Sequence, residues 1–354
     1  MQVGQLGELE LVRQIRAILD APRADLLVGN GDDALVWQPA GQVVATVDSI
    51  VGGIDWLRGP TPAEAVGARA AAVNLSDLAA MGAQPAILLL ALELPPEHEV
   101  AVLLRSIQGL KTLAQRHGAL VAGGDLGFSP GPPRWTVTAL GTLTGPPMRR
   151  DRVQAGDALW LIGPVGMAGL GLELLKRQMA PEEFRATPAD RAQPALIVGG
   201  SPYSAIPEVF RAPPQNVTQP LVTAHLWPQP LVREGLLLQH AGVQAAIDIS
   251  DGLGLDAQRL AQASQVDLHL DLPHPAWLTA DLEQYLQTHD LDWHRACAQG
   301  GDDYALLCAA PPDLDVLSLL PLAVRLGHAQ AGTGQVRLRV AGLPQSIAGW
   351  QHGR

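Results

Sequence analysis

Seven aspartates of this 354-residue chain sit in five short signatures punctuated by Gly or Ser: Gly31-Asp32-Asp33, Val47-Asp48-Ser49, Asn74-Leu75-Ser76-Asp77, Gly123-Gly124-Asp125 and Asp248-Ile249-Ser250-Asp251. A sixth motif, Gly300-Gly301-Asp302-Asp303-Tyr304, closes the series. Few basic residues lie beside them. Carboxylates in such settings suit hard divalent cations, which take oxygen ligands and bridge to phosphate oxygens. The chemistry indicated is Mg²⁺- and nucleotide-dependent phosphoryl transfer.

Each motif also has a plainer reading. On a helix Asn74 and Asp77 are three apart and share a face, but a surface carboxylate with a local hydrogen bond fits that pair as well. Asp33 and Asp48 suit turn caps, and Asp251 the N-cap of a following helix. Asp248 lies inside an otherwise apolar strand, where an unpaired carboxylate is costly, so a ligand role is favoured there. Arg150 belongs to Arg149-Arg150-Asp151-Arg152, which also reads as a solvated charge cluster. Trp350 also reads as a pin for the C-terminus. The glycines at 163, 166, 169 and 171 lack the dinucleotide fingerprint and read as a turn with close helix packing. The histidines show no H-x-x-x-H pair and no Cys partner, which argues against a zinc site.

The elements that must position these residues follow from periodicity and breakers. Helices are predicted over 6–19, 61–81, 97–117, 168–177, 230–240 and 252–263. Strands are predicted over 34–37, 42–47, 86–94, 120–122, 135–143, 158–162, 245–249, 266–270 and 304–309. Thr144-Gly145-Pro146-Pro147 breaks the pattern and marks a domain boundary. Residues 180–219 read as an insertion relative to a compact core. Interleaved strands and helices in both halves give an α/β or α+β class with two layered domains.

Composition agrees with a well-buried globular chain: 47% hydrophobic and 17% charged. The formal net charge of -11 argues against a nucleic-acid partner but not against a nucleotide, because bound Mg²⁺ inverts the sign of a carboxylate-lined site. Cys297 and Cys308 have neither metal-ligand spacing nor the number for a disulfide framework. The N-terminus shows no basic region before an apolar run, and the strongest apolar run, 86–94, is too short to span a bilayer, so a cytoplasmic location is expected.

Taken together, 74–83, the double aspartate at Asp32 and Asp33, Gly-Gly-Asp at 123–125, the Ile247–Leu253 run and 300–304 resemble thiamine-monophosphate kinase, in order and approximate spacing, from near residue 5 to the C-terminus. The close, Gly349-Trp350-Gln351-His352, resembles that family's terminal Gly-aromatic-x-His-Phe. The resemblance implies transfer of the γ-phosphoryl group of ATP to thiamine monophosphate, several Mg²⁺ ions, and the aminoimidazole-ribonucleotide-synthetase-like fold. Residues 1–145 would form an N-terminal α/β domain with the metal and nucleotide site and the surface of a homodimer. Residues 146–354 would complete the ATP and substrate site.

The resemblance further implies Mg²⁺ at Asp33, Thr46, Val47, Asp48, Ser49, Asp77, Asp125, Asp248 and Asp251. It implies ATP at Gly124, Asp125, Arg150 and Ser250, and thiamine phosphate at Asp302 and Trp350. No His or Ser is placed as a nucleophile, so direct transfer between bound substrates is expected. Asp55 stands where the family has a substrate-contacting His, Asp302 replaces a Glu, and Ile107 aligns with a Tyr near the adenine. Two rival readings stay open: an ATP-dependent synthetase of the same fold, and a non-catalytic nucleotide or thiamine-phosphate binder.

Overall fold

The computed structural model describes residues 1–178 and 217–350. The insertion expected at 180–219 therefore lies, but for its last three residues, outside the described residues, as do Gln351 and His352 of the terminal motif. The described residues fall into two units, one spanning Met1–Leu78, Gln84–Thr144 and the described part of Arg177–Ala212, the other Ala79–Ala83, Gly145–Lys176 and the described part of Pro213–Arg354.

The first unit opens with α1 (Val3–Leu6), α2 (Glu8–Leu19) and a ribbon of β1 (Leu26–Val28) and β2 (Val36–Trp37). It continues through β3 (Gln42–Val51), α3 (Ala63–Ala80), β4 (Gln84–Leu94), α4 (Val100–Arg116), β5 (Leu120–Phe128) and β6 (Arg134–Leu143). The sheet order is β3-β6-β4-β5, with β4 and β5 parallel and joined through α4. Period-two burial on β6 turns Trp135, Val137, Ala139 and Leu143 into the core. Leu103, Ile107, Leu110 and Leu113 form the buried stripe of α4 at helical spacing. Helices α3 and α4 approach closely because Gly67 has no side chain: a Cβ there would lie 1.7 Å from the Ser106 carbonyl oxygen.

The second unit runs β7 (Ala158–Ile162), α5 (Met167–Gln178), α6 (Gln219–Leu226), α7 (Val232–His240), β8 (Ala245–Ile249), α8 (Leu253–Ser264) and β9 (Val266–Leu272). It ends with α9 (Ala280–Thr288), α10 (Trp293–Gln299), β10 (Ala305–Ala310), α11 (Val316–Leu319), β11 (Val324–Ala331), β12 (Val336–Val340) and β13 (Leu343–Gln345). Its seven strands order as β13-β12-β9-β11-β7-β10-β8, antiparallel except for β9 with β12. Leu159, Leu161, Ile247, Ile249 and Leu307 of the sheet pack with Leu170, Leu174, Leu260, Leu286 and Trp293 of the helices. Mixed helix and sheet in both units gives the expected α/β (α+β) class. No helix among the described residues is long and apolar enough to cross a membrane. Cys297 and Cys308 are both buried and unpaired by any disulfide.

Two differences from the sequence expectation concern strands. The sequence predicts neither helices α1, α6, α9, α10 and α11 nor strands β1 and β11 to β13, all of them short. Strand β5 runs on through Gly123-Gly124-Asp125, where a strand ending at Ala122 was expected. Glycine normally breaks a strand, but here it allows close backbone approach. A Cβ on Gly124 would lie 1.9 Å from the Leu90 carbonyl oxygen of the neighbouring strand.

Candidate functional site

In the first unit the acidic motifs meet where β3 runs beside α3. The Thr46 hydroxyl donates to Asp77 Oδ2 at 2.5 Å, and the Asp48 N–H donates to Asn74 Oδ1 at 3.1 Å. Asn74 is fully buried and its amide nitrogen donates to the Ala70 carbonyl of its own helix, which fixes which way its oxygen points. The i, i+3 spacing of Asn74 and Asp77 thus aims both side chains at one strand. Asp48 itself is exposed, one turn of pleat from Thr46 and on the same side of β3.

Ser49 belongs to the other side. Its hydroxyl lies 2.7 Å from that of Thr136, and the registers continue from Thr136 to Ala91 and from Ala91 to Asp125. These four residues form one transverse row across the sheet, which sets Ser49 and Asp125 three strand spacings apart, about 14 Å. Val47 shares Ser49's side and is exposed. Gly124 precedes Asp125 in β5, and both are exposed. Asp33 lies exposed between β1 and β2, its N–H held by the Asp32 carboxylate at 2.9 Å. The turn is therefore capped by Asp32, not Asp33. Asp55 is part of the turn after β3: the Val51 N–H donates to Asp55 Oδ2 at 2.7 Å and the Asp55 N–H to the Val51 carbonyl at 2.9 Å.

In the second unit Asp248 is 4% exposed inside β8, opposite Leu306 of β10. The chain then turns through Ser250 and Asp251 into α8, whose N-cap is Gly252 and not Asp251. What holds this turn is Asp256, only 1% exposed: its Oδ2 accepts the N–H groups of Ser250 at 3.1 Å and Asp251 at 2.9 Å. Burial pushes the Asp256 carboxyl above the ordinary range, against the pull of those donors and of Arg259. One arm of the Arg259 guanidinium meets Asp256 Oδ1 at 2.6 Å and the other meets Asp251 Oδ2 at 2.6 Å.

Three other segments converge on the same turn. Asp302 donates its N–H to the Ser250 carbonyl at 2.8 Å, and Tyr304 donates to the Ile249 carbonyl at 2.8 Å. Asp302 and Tyr304 both adopt positive φ, 65° and 51°, which only such external bonds hold in place for non-glycine residues. The Tyr304 hydroxyl donates to Asp302 Oδ1 at 3.0 Å, and buried His225 places Nδ1 3.9 Å from Asp302 Oδ2. Asp303, its neighbour, turns inward and accepts the N–H groups of Gly166 at 2.6 Å and Ala168 at 3.1 Å, capping α5. Finally the Trp350 N–H donates to the Asp251 carbonyl at 2.9 Å, leaving the indole half exposed. Arg150 is exposed and its carbonyl accepts the Ser264 hydroxyl at 2.7 Å, while Arg149 takes the Asp151 carboxylate in a two-pronged pair.

Within their own units, then, Thr46, Asp48 and Asp77 come together, as do Ser250, Asp251, Asp302 and the Trp350 backbone. Among the described residues no three His, Cys, Asp or Glu side chains enclose a single cation-sized point. Ile107 is fully buried in the α4 core, so its side chain faces protein and not a base. Asp256, Arg259 and His225 escaped the sequence reading, and Tyr304 was named there only as part of its motif. Only the i, i+3 spacing of Asp256 and Arg259 signalled a pair, and such pairs usually lie on the surface.

Comparison with known proteins identifies the family. The family model "AIR synthase related protein, N-terminal domain" matches residues 31–143. Thiamine-monophosphate kinase of Synechococcus elongatus is 33% identical over 322 residues, covering 88% of this chain and 84% of that one. The crystal structure of thiamine-monophosphate kinase from Stenotrophomonas maltophilia K279a is 32% identical, with a TM-score of 0.73 over 95% of this chain and 96% of that one. AaThiL complexed with AMPPCP and TMP is 25% identical, with a TM-score of 0.70 over 99% of both chains. On the strength of these matches and of the motifs that the fold gathers, the chain belongs to the thiamine-monophosphate kinase family.

Proposed function

We propose that the protein transfers the γ-phosphoryl group of ATP to thiamine monophosphate, giving thiamine diphosphate and ADP, directly between the two bound substrates. The observation that carries this reading is the fastening of Asp77 and Asn74 on α3 to Thr46 and Asp48 on β3, in a chain that aligns end to end with AaThiL complexed with AMPPCP and TMP. An acceptor that is already a phosphate is a competent nucleophile near neutral pH. The protein's task is to align it and to offset repulsion between anions.

The donor set fits Mg²⁺. Asp33, Asp48, Asp77, Asp125, Asp248 and Asp251, with the hydroxyls of Thr46 and Ser49 and the Val47 carbonyl, offer only oxygen, the ligand a hard cation takes. Mg²⁺ is commonly held by one or two carboxylates plus water and substrate phosphate, which suits acids that are not gathered into a protein-only cage. When bound it would neutralise phosphate charge.

The remaining roles belong to the chain. As nucleotide contacts the first unit would offer Gly124 and Asp125, in the middle of β5, and the second unit the Ser250 turn and Arg150, whose guanidinium is a planar cationic fork. Asp302, held by Tyr304, and the exposed Trp350 face would receive the thiamine rings, the latter through cation–π contact with the thiazolium. We also propose a cytoplasmic homodimer: Val43 and Val47 on the edge strand β3 are 50% and 59% exposed, apolar surface that a second copy would cover. Sedimentation at micromolar concentration tests the dimer.

The reaction is tested by incubating the protein with ATP, Mg²⁺ and thiamine monophosphate. Equimolar thiamine diphosphate and ADP are expected. ADP with inorganic phosphate, and no diphosphate product, would instead favour a synthetase of the same fold.

A further inference from the structure

Arg259 is a cation already in place beside one of the proposed Mg²⁺ ligands. Its two nitrogens bridge Asp251 Oδ2 and Asp256 Oδ1, each at 2.6 Å. The other oxygen of Asp256 holds the backbone N–H groups of Ser250 and Asp251. Side chain and backbone of Asp251 are therefore tied to the same buried carboxylate by two routes, a closed ring with the guanidinium at its centre. The planar fork is what makes the bridge: an ammonium would supply the charge without the second fixed direction. Held by Oδ2, Asp251 is left with Oδ1 to offer a ligand, at reduced effective charge.

We propose that Arg259 is a positioning residue and resident counter-ion for Asp251, setting which carboxylate oxygen meets the divalent cation and keeping the metal affinity of the nucleotide-free protein low. The inference rests on Asp251 being a metal ligand in the proposed function. Two consequences separate charge from direction. Removing the charge frees Asp251 to attract a cation more strongly; removing only the fork leaves the charge but not the orientation.

Mn²⁺ binding to the nucleotide-free full chain, followed by electron paramagnetic resonance, reads the first; kcat for thiamine diphosphate at saturating Mg²⁺ and ATP reads the second. Arg259→Gln is expected to bind Mn²⁺ roughly tenfold more tightly, the scale of one charge removed beside a divalent ion, and to lose about 10- to 100-fold in kcat, as changes behind a metal ligand do. Arg259→Lys is expected to keep Mn²⁺ affinity within about twofold of the parent and yet to lose kcat similarly. The Mn²⁺ gain of Arg259→Gln should vanish in an Asp251→Asn background.

Mn²⁺ bound no more tightly by Arg259→Gln, parental kcat in Arg259→Lys, or a gain that survives Asp251→Asn each overturns the proposal. Should Arg259→Gln fail to fold by circular dichroism, Arg259→Lys decides alone, parental kcat there overturning the proposal. The Mn²⁺ result does not depend on the acceptor: a parent protein that makes no thiamine diphosphate but shows the Arg259→Gln gain loses the proposed reaction and keeps this one.

Discussion

The hydroxyl of Thr46 donates to the carboxylate of Asp77 at 2.5 Å, joining a strand to a helix across 31 residues of sequence. A hydrogen bond to a charged group contributes about 1.5–3 kcal/mol. Thr46→Val is therefore expected to lower unfolding free energy by about 1–2 kcal/mol and to raise the Mg²⁺ concentration needed for half-maximal rate about 10- to 100-fold. Thr46→Ser should behave as the parent. Asp77→Asn keeps an acceptor for Thr46 but loses the charge, so activity should fall further while the melting temperature moves by less than about 4 °C. Full activity in Asp77→Asn would remove the metal role from this residue.

Asp55 yields a different expectation from the one its alignment suggests. Its carboxylate closes the turn on the Val51 N–H, so its first duty is local. Asp55→Asn keeps an acceptor there and should change KM for thiamine monophosphate less than about twofold, while Asp55→Ala should destabilise by about 1 kcal/mol. A large fall in KM for Asp55→Asn would mean that the charge opposes the incoming phosphate after all.

Asp303 gives the fold a pH dependence. Burial pushes its carboxyl up to about 8, although the Gly166 and Ala168 N–H donors oppose the shift. The folded chain then holds a proton that the unfolded chain releases near its ordinary value of about 4. The stability this contributes is complete below that value and is lost as pH rises toward 8. Denaturant midpoints measured from pH 5 to 8.5 should fall in the parent and fall less steeply in Asp303→Asn. Equal slopes would show that the two backbone donors keep Asp303 ionised.

Trp350 is 49% exposed while its backbone is bonded to Asp251, so the indole can be changed without unpinning the terminus. If its face meets the thiazolium, Trp350→Ala should raise KM for thiamine monophosphate about 2- to 30-fold, the range of a cation–π contact of about 0.5–2 kcal/mol. KM for ATP should stay constant. Equal effects on both substrates would assign Trp350 to the turn and not to the acceptor.

Much of this site could be read from the chain because local periodicity carried it. Asn74 and Asp77 share a helix face by arithmetic, and the structure turns both toward β3. Asp248 stood out as a charge within an apolar strand and is indeed buried there. What stayed hidden depends on contacts distant in sequence or on glycine used against its usual meaning. Gly123-Gly124 reads as a strand end, yet β5 needs it to pass Leu90. Asp302 and Asp303 are adjacent and look alike, but the positive φ at Asp302 sends one toward Tyr304 and the other under α5. Nothing in the sequence brings His225 to Asp302, 77 positions further along the chain.

The row from Ser49 through Thr136 and Ala91 to Asp125 makes strand pairing a checkpoint for the proposed binding. Side chains alternate faces along β3, so a slip of one residue against β6 would exchange Ser49 with Asp48. A molecule folded in that register would keep most of its backbone ladder and still present the wrong residues to Thr136 and to α3. Native-like secondary structure is therefore no guarantee of a competent protein here; under the proposed assignment, divalent-cation binding would report whether the sheet was assembled in step.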